Sequence, residues 1–449
     1  MNATELRAAI SLAFIYVFRM LGLFMVMPVI AVMATDYENY SIFLVGLAIG
    51  GYGLTQAFLQ IPMGMLSDKF GRKPIIMLGL LMFCAGSIVA ALADDMWWLI
   101  IGRVLQGAGA IAGAIMALAA DVSRENQRAK VMAIIGIAIG FSFYLALLLG
   151  PIIGNNFGLS GIFAVTAVFA VICMPLLWWV VPNANNYAPS GDTLPKLTDL
   201  TAMIKNPQLL RLNVSVCLLH LMITLLFVQL PSMFVTAGMD LDKHWQLYLP
   251  ILLLSIIGLA GLMSINRKHS GNLVLIVAVL LLVAAFSGFA SFNGLWTLAI
   301  CAVIFFTGFN YLEANFPAMV SNIAPAGKKG SAMGMYASFQ FFGAFAGGLI
   351  SGLLNQYFLP HLVFVVAILI CLAWLVLLVG LNGNDQLKRY TLSAKVTIQQ
   401  HPELKHKLAK LQGVHDITIV PEQQAVYLKV DTKLFDLRQA QQIVRTEFS

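Results

Sequence analysis

Twelve apolar stretches, each about 20 residues or longer, follow one another along positions 1–381. They run at 8–34, 42–66, 74–94, 96–121, 129–156, 160–182, 208–236, 244–266, 271–291, 294–321, 330–356 and 359–381. An α-helix rises about 1.5 Å per residue and needs about 20 apolar residues to cross the hydrocarbon layer, so each stretch is long enough to span a bilayer. Composition agrees: 60% of the 449 residues are hydrophobic and only 10% are charged. Soluble domains carry roughly a quarter charged residues, so a water-soluble globule is excluded.

Charge gives the orientation. One set of loops carries Arg7, Lys69, Arg72, Lys73, Arg124, Arg128, Lys130, Lys196, Lys205, Arg211, Arg267, Lys268, Lys328 and Lys329, whereas the opposite set carries Lys243 alone. The basic side is expected to face the cytoplasm together with both termini, in a multi-pass protein of a bacterial inner membrane. Asp36, Glu38, Asp94, Asp95, Asp240 and Asp242 lie on the other side, where Trp97 and Trp98 suit an interfacial belt. The formal net charge of +7 is spread over short loops, so topology explains it better than nucleic-acid binding. The first stretch is too long for a cleaved leader and contains Arg19, so it is expected to remain in the mature chain. The five cysteines stand singly, without metal-ligand or redox spacing.

Four regions follow: a six-helix bundle over 1–182, a polar linker over 183–207, a second six-helix bundle over 208–381, and a soluble tail over 382–449. Two such halves with a substrate site between them are a common transporter plan. In the tail, a strand is expected near 390–399, a helix over 402–412, strands over 414–420 and 425–430, and a helix over 433–447. This βαββα order predicts a small α+β ferredoxin-like domain whose exposed edge offers a route to self-association of an otherwise monomeric protein.

The most specific motif is Gly64-Met65-Leu66-Ser67-Asp68-Lys69-Phe70-Gly71-Arg72-Lys73. Gly64 and Asp68 share a helix face, Gly71 supplies a tight turn, and Arg72 is placed to reach Asp68 or Asp121. A carboxylate at a helix C-terminus is unfavourable there but suits the N-terminus of a different helix. The start of span 11, with Ser331 and Gly334, is the expected recipient, giving a conformational latch between the halves.

This motif resembles motif A of the major facilitator superfamily, G-x-x-x-D-[KR]-x-G-R-[KR], at every defined position. The run containing Arg103, Gln106 and Gly107 resembles motif B, and Gly150, Pro151 and Gly154 match the core of antiporter motif C. The resemblance implies a twelve-helix, two-bundle fold and a drug:proton antiporter. The tail is similar in pattern to heavy-metal-associated domains but contains no cysteine, so Cys-x-x-Cys metal carriage is not expected.

Ionisable residues within a span are costly and point to function. Glu313, with Asn310 and Pro317 on its face, is the first choice for a proton site; the alternative is permanent pairing with Asn310 or an arginine. His220 either titrates or bonds two helices as a neutral ring. Arg103 is expected to sense a nearby protonation. Arg19 either binds anionic substrate, neutralises Glu313 or makes a structural bond. Tyr52, Gln56 and Gln60 form a polar stripe that either lines a cavity or joins helices.

No nucleotide-binding G-x-x-x-x-G-K-[ST] loop is present, so the expected driving force is a proton gradient, with the proton as coupling ion and no other cofactor or metal. The chain reads as a non-enzymatic, proton-coupled secondary transporter exporting small amphipathic compounds. A nutrient symporter and a membrane sensor with the tail as output are the alternatives.

Overall fold

A computed structural model describes residues 1–183, 203–266, 271–324, 329–381, 387–393, 401–420, 425–431 and 434–447. The first half comprises α1 (Ala3–Phe24), α2 (Met27–Met33), α3 (Ile42–Phe70), α4 (Arg72–Ala91), α5 (Met96–Ala108), α6 (Ala112–Val122) and α7 (Glu125–Pro175). The second comprises α8 (Pro207–Thr236), α9 (His244–Asn266), α10 (Gly271–Ser291), α11 (Leu295–Ile323), α12 (Lys329–Tyr357) and α13 (Leu362–Val379). Among the described residues, 11 continuous helical segments are long and apolar enough to cross a membrane.

The longest, α7, has 51 residues and a non-helical backbone at Gly158, with φ 70° and ψ −177°. That left-handed φ suits glycine. Ring contacts show that the chain turns back there: Phe24 meets Phe143 with centroids 5.0 Å apart, and Phe18 stacks on Phe169 at 4.8 Å. Phe18 and Phe24 lie about 9 Å apart along α1, whereas residues 143 and 169 of a straight helix would be separated by about 39 Å. Two antiparallel arms of α7 therefore flank α1.

Polar side chains fix the helix ends. Asn2 and Glu5 form a reciprocal capping box on α1, and Glu5 also pairs with Arg124 at 2.7 Å. Ser41, Asp95 and Asn206 cap α3, α5 and α8. The loops containing Glu38 and Asp95 join through a short parallel bridge.

The halves meet along α3 and α12. Cβ atoms added at Gly46, Gly50 and Gly53 would overlap or crowd the backbones of Gly348, Phe345 and Phe341. Small residues thus let two backbones approach where apolar lipid gives helices little reason to associate. This seam lies along the half of α3 next to the acidic loops. Nearby, α2 packs on α8, and Phe143 of α7 meets Phe227 of α8 and Phe309 of α11.

In the tail, β1 (Leu387–Ser393), α14 (His401–Ala409), β2 (Val414–Val420), β3 (Ala425–Asp431) and α15 (Leu437–Glu447) follow in chain order. The antiparallel sheet has the order β1-β3-β2, with Leu387 opposite Asp431 and Val420 opposite Ala425. Alternate residues Val426, Leu428 and Val430 pack with Leu404, Leu408, Ala440 and Val444. The first strand begins three residues before its expected start, and residues 394–399 of that expectation lie outside the described residues. Most of the expected linker, residues 184–202, lies outside them too.

Candidate functional site

Arg72 is the first residue of α4, directly after Gly71 with φ 94°. A cation at a helix N-terminus opposes the dipole, so its retention requires compensating partners. Arg72 Nε donates to Asp121 Oδ2 at 2.9 Å, while Nη1 donates to Ser67 Oγ at 2.8 Å and to Asp68. Asp68 and Asp121 occupy the C-terminal turns of α3 and α6, where a carboxylate alone is disfavoured. One guanidinium therefore corrects two unfavourable helix ends. Gly64 is buried one turn before Asp68, and its carbonyl accepts from Ser67. At the start of α12, Ser331 is buried and Gly334 is half-buried.

Deeper in this half, two arginines are almost fully enclosed. Arg103 is 0% exposed; its Nη1 donates to Gln106 Oε1 at 2.8 Å, and its Nε donates to the Ala48 carbonyl at 3.2 Å. Gln106 in turn donates to Ser87 Oγ at 2.8 Å. The guanidinium carbon lies 5.1 Å from the Tyr52 ring centroid, within cation–π range. Gly107 supports this arrangement, because a Cβ there would overlap the Tyr52 carbonyl.

Arg19 is 1% exposed and donates through Nη2 to Gln56 Oε1 at 2.7 Å and to the Gly109 carbonyl at 3.2 Å. Gln56 passes the chain to Gln60 at 2.8 Å. Arg19 Nε and Nη1 and Arg103 Nη2 are buried without a hydrogen-bond partner among the described residues. Gly109 lies in the break between α5 and α6, which continuous apolar sequence over 96–121 does not reveal. Gly150 and Gly154 let the first arm of α7 lie against Met25 and Val29 at the junction of α1 and α2, with Pro151 between them inside the helix.

The second half brings Glu313 of α11, His220 of α8 and Gln340 of α12 together. Gln340 Nε2 is 3.3 Å from Glu313 Oε1 and 2.7 Å from His220 Nε2, while Glu313 Oε2 is 3.8 Å from His220 Nε2. His220 Nδ1 lies 3.2 Å from the Val216 carbonyl. Asn310 turns instead to Ser255, 3.1 Å away on α9. Gln340 is the residue that sequence reasoning passed over, because a neutral amide does not stand out in a search for intramembrane charge. Its neighbour Phe341 approaches Tyr52 with ring centroids 6.3 Å apart. An apolar contact thus links the Arg103–Tyr52 stack to the helix segment carrying Gln340. At the acidic-loop end of the same half, Gln229, Ser232, Asn293 and Asn355 line part of a cavity of about 310 Å³.

The sequence profile of the Major Facilitator Superfamily matches residues 12–312 and 267–406. The chain belongs to the major facilitator superfamily. It is 36% identical over 448 residues to the "Inner membrane transport protein YajR" of Escherichia coli (strain K12), covering 99% of this chain and 98% of that one. A solved bacterial homologue of the human lysosomal transporter Spinster superposes with a TM-score of 0.69 at 14% identity, covering 86% of this chain and 99% of that one. A solved D-xylose-proton symporter superposes with a TM-score of 0.64 at 13% identity, covering 83% and 97% of the two chains. Superfamily membership makes this protein a multi-pass inner-membrane transporter of small molecules, not an enzyme. It also places the Arg103–Tyr52 stack, the enclosed Arg19 and the Glu313–Gln340–His220 group in a helical superfamily fold.

Proposed function

We propose that this chain is a proton-coupled secondary transporter that exports small amphipathic compounds by alternating access, with the proton as its only coupling ion. The observation that carries the reading is the Glu313–His220 pair bridged by Gln340, because a carboxylate and an imidazole gathered between spans α11 and α8 form a natural proton site. The match to motif C at Gly150, Pro151 and Gly154 favours export. Counting the two arms of α7 separately supports twelve spans, and the basic-loop bias supports cytoplasmic termini. The βαββα order of the tail supports a ferredoxin-like domain whose open edge is a self-association surface on a protein that works as a monomer.

The cycle follows from two contacts. The close α3–α12 backbone approach beside the acidic loops supports a state in which the halves are sealed on that side and the cavity opens on the basic side. On the basic side, Asp68, held with Arg72 and Asp121, forms a latch with the start of α12 at Ser331 and Gly334 when the cavity opens the other way. Protonation of Glu313 changes the packing of α12 through Gln340, and Phe341 carries that change to Tyr52 and Arg103. Substrate and proton then use the same cavity in opposite directions.

The test is solute flux in proteoliposomes with an imposed pH difference, an entrapped pH indicator, and a panel of lipophilic cations and neutral amphiphiles. Compounds moving against the proton flow are expected. Compounds moving with it would mark an importing symporter, and an absence of exchange with every compound would overturn coupled transport.

A further inference from the structure

The buried polar atoms left over in the first half share one character. Arg19 Nε, Arg19 Nη1, Arg103 Nη2 and Tyr52 Oη are enclosed there without a hydrogen-bond partner among the described residues. Three are guanidinium nitrogens that only donate, and the last is a hydroxyl that can donate. The corresponding set in the second half is mixed and includes the acceptors Asn213 Oδ1, Asn272 Oδ1 and Glu313 Oε2. The unspent capacity of the first half is therefore suited to an acceptor, and the arginines make it suited to a negative one.

Arg19 is the centre of this wall. It lies about 24 Å along the helix from Ala3 and about 26 Å short of Asp36, near the middle of the first span. Its Nη2 is spent on Gln56 and the Gly109 carbonyl, both neutral, which leaves one hydrogen on Nε and two on Nη1. Every acidic residue of positions 1–182 lies at a helix end or in a loop, and among the described residues no carboxylate is within ion-pair distance of Arg19. Glu313 is engaged with His220 and Gln340 instead. Arginine stays protonated in any protein environment, and an ionised group buried without a counter-charge is costly. An anion arriving from solution supplies the charge that the fold withholds. A row of side chains on α3 connects the wall with its surroundings. The Tyr52 ring lies against Arg103 and against Phe341 of the other half, and Gln56, one turn on, holds Arg19. Gln56 donates to Gln60, whose Nε2 lies 3.4 Å from a Cβ added at half-buried Gly113. The row thus runs from the junction of the halves toward the basic-loop end of α3, where the proposed cavity opens.

We infer that the exported compound is an amphipathic carboxylate and that Arg19 receives its anionic group, with Arg103 and Tyr52 adding donors to the same wall. An inside-negative membrane potential drives an anion outward, so the charge of the cargo agrees with export. The inference rests on the transport reading above and names its substrate class.

Equilibrium dialysis of the full chain in nanodiscs of zwitterionic lipid tests it at neutral pH, with empty nanodiscs correcting for partition into lipid. The probes are naphthoate and phenylbutyrate, each matched by its primary amide, together with naphthylmethylammonium. Carboxylate binding about tenfold or more tighter than amide binding is expected, the worth of a charge-assisted hydrogen bond, with no saturable binding of the ammonium. Arg19→Gln keeps a hydrogen-bonding side chain without the charge and is expected to erase the preference by weakening the carboxylates alone. Arg19→Lys keeps the charge without the planar fork, is expected to retain a reduced preference, and serves should Arg19→Gln fold poorly. Equal affinity for carboxylate and amide in the wild type, no saturable binding of either carboxylate, or an undiminished preference in a folded Arg19 variant would overturn the inference while leaving coupled transport standing. The expected binding pattern without proton-linked flux of either carboxylate in proteoliposomes would instead strike the transport reading and leave the anion site in place.

Discussion

The two halves treat their intramembrane charge in opposite ways. In the first, Arg19 and Arg103 are at most 1% exposed and are held by amides, backbone carbonyls and an aromatic face. In the second, the Glu313 side chain is 36% exposed and His220 15%, with a neutral amide between them. Arginine stays protonated in any protein environment, so the first half carries a fixed field. Carboxylate and imidazole can change charge, so the second half carries the variable one. One wall thus encloses cations among neutral partners, and the other gathers an acid and an imidazole around an amide.

That contrast predicts mutations of opposite sign among arginines of one half. Arg72 stands beside two carboxylates, with side-chain exposures of 10% for Arg72 and 12% for Asp121. Arg72→Met strands Asp121 at a helix C-terminus and is expected to destabilise the protein by about 3 kcal/mol, seen as a lower unfolding midpoint in detergent. Arg103 has no carboxylate partner among the described residues, so Arg103→Met removes a buried charge and is expected to stabilise by about 1 to 3 kcal/mol while impairing transport. Equal signs for the two substitutions would erase the distinction between paired and fixed cations.

Smaller effects sharpen the other side. His220→Asn keeps a hydrogen-bonding side chain beside Gln340 and is expected to change stability by less than about 1 kcal/mol, while altering the pH dependence of flux. The smallest effect belongs to Asp240, outside the spans, where the exposed Lys243 ammonium 2.8 Å away holds its carboxyl below the usual range. A lowered carboxyl stabilises the fold at neutral pH, and this contribution fades as pH falls through the lowered value. Asp240→Asn is expected to leave the unfolding midpoint at neutral pH unchanged within error, because exposed pairs are solvated and screened.

How much of this was legible in the sequence depended on the kind of signal. The turn in α7 was readable only as the gap between the apolar stretches 129–156 and 160–182; that Gly158 makes it is a property of the backbone, where its φ is 70°. Helix spacing and loop level offered Arg72 either Asp68 or Asp121 as a partner, and the guanidinium meets both. The break at Gly109 was invisible because small apolar residues continue through it; its purpose emerges only in three dimensions, where the Gly109 carbonyl accepts from Arg19. Gln340 was missed for a related reason. Hydropathy marks charge clearly, whereas an amide reveals its role only when two helices bring an acid and an imidazole to it.

The central claim is that Glu313 governs which side of the molecule is sealed. Spin labels at the exposed positions Tyr40 and Phe358, at the acidic-loop ends of α3 and α12, report the seam by their distance distribution across a pH titration. The account predicts that the distribution shifts with pH in the wild type and stays fixed in Glu313→Gln. The same pH-dependent shift in both proteins would contradict it.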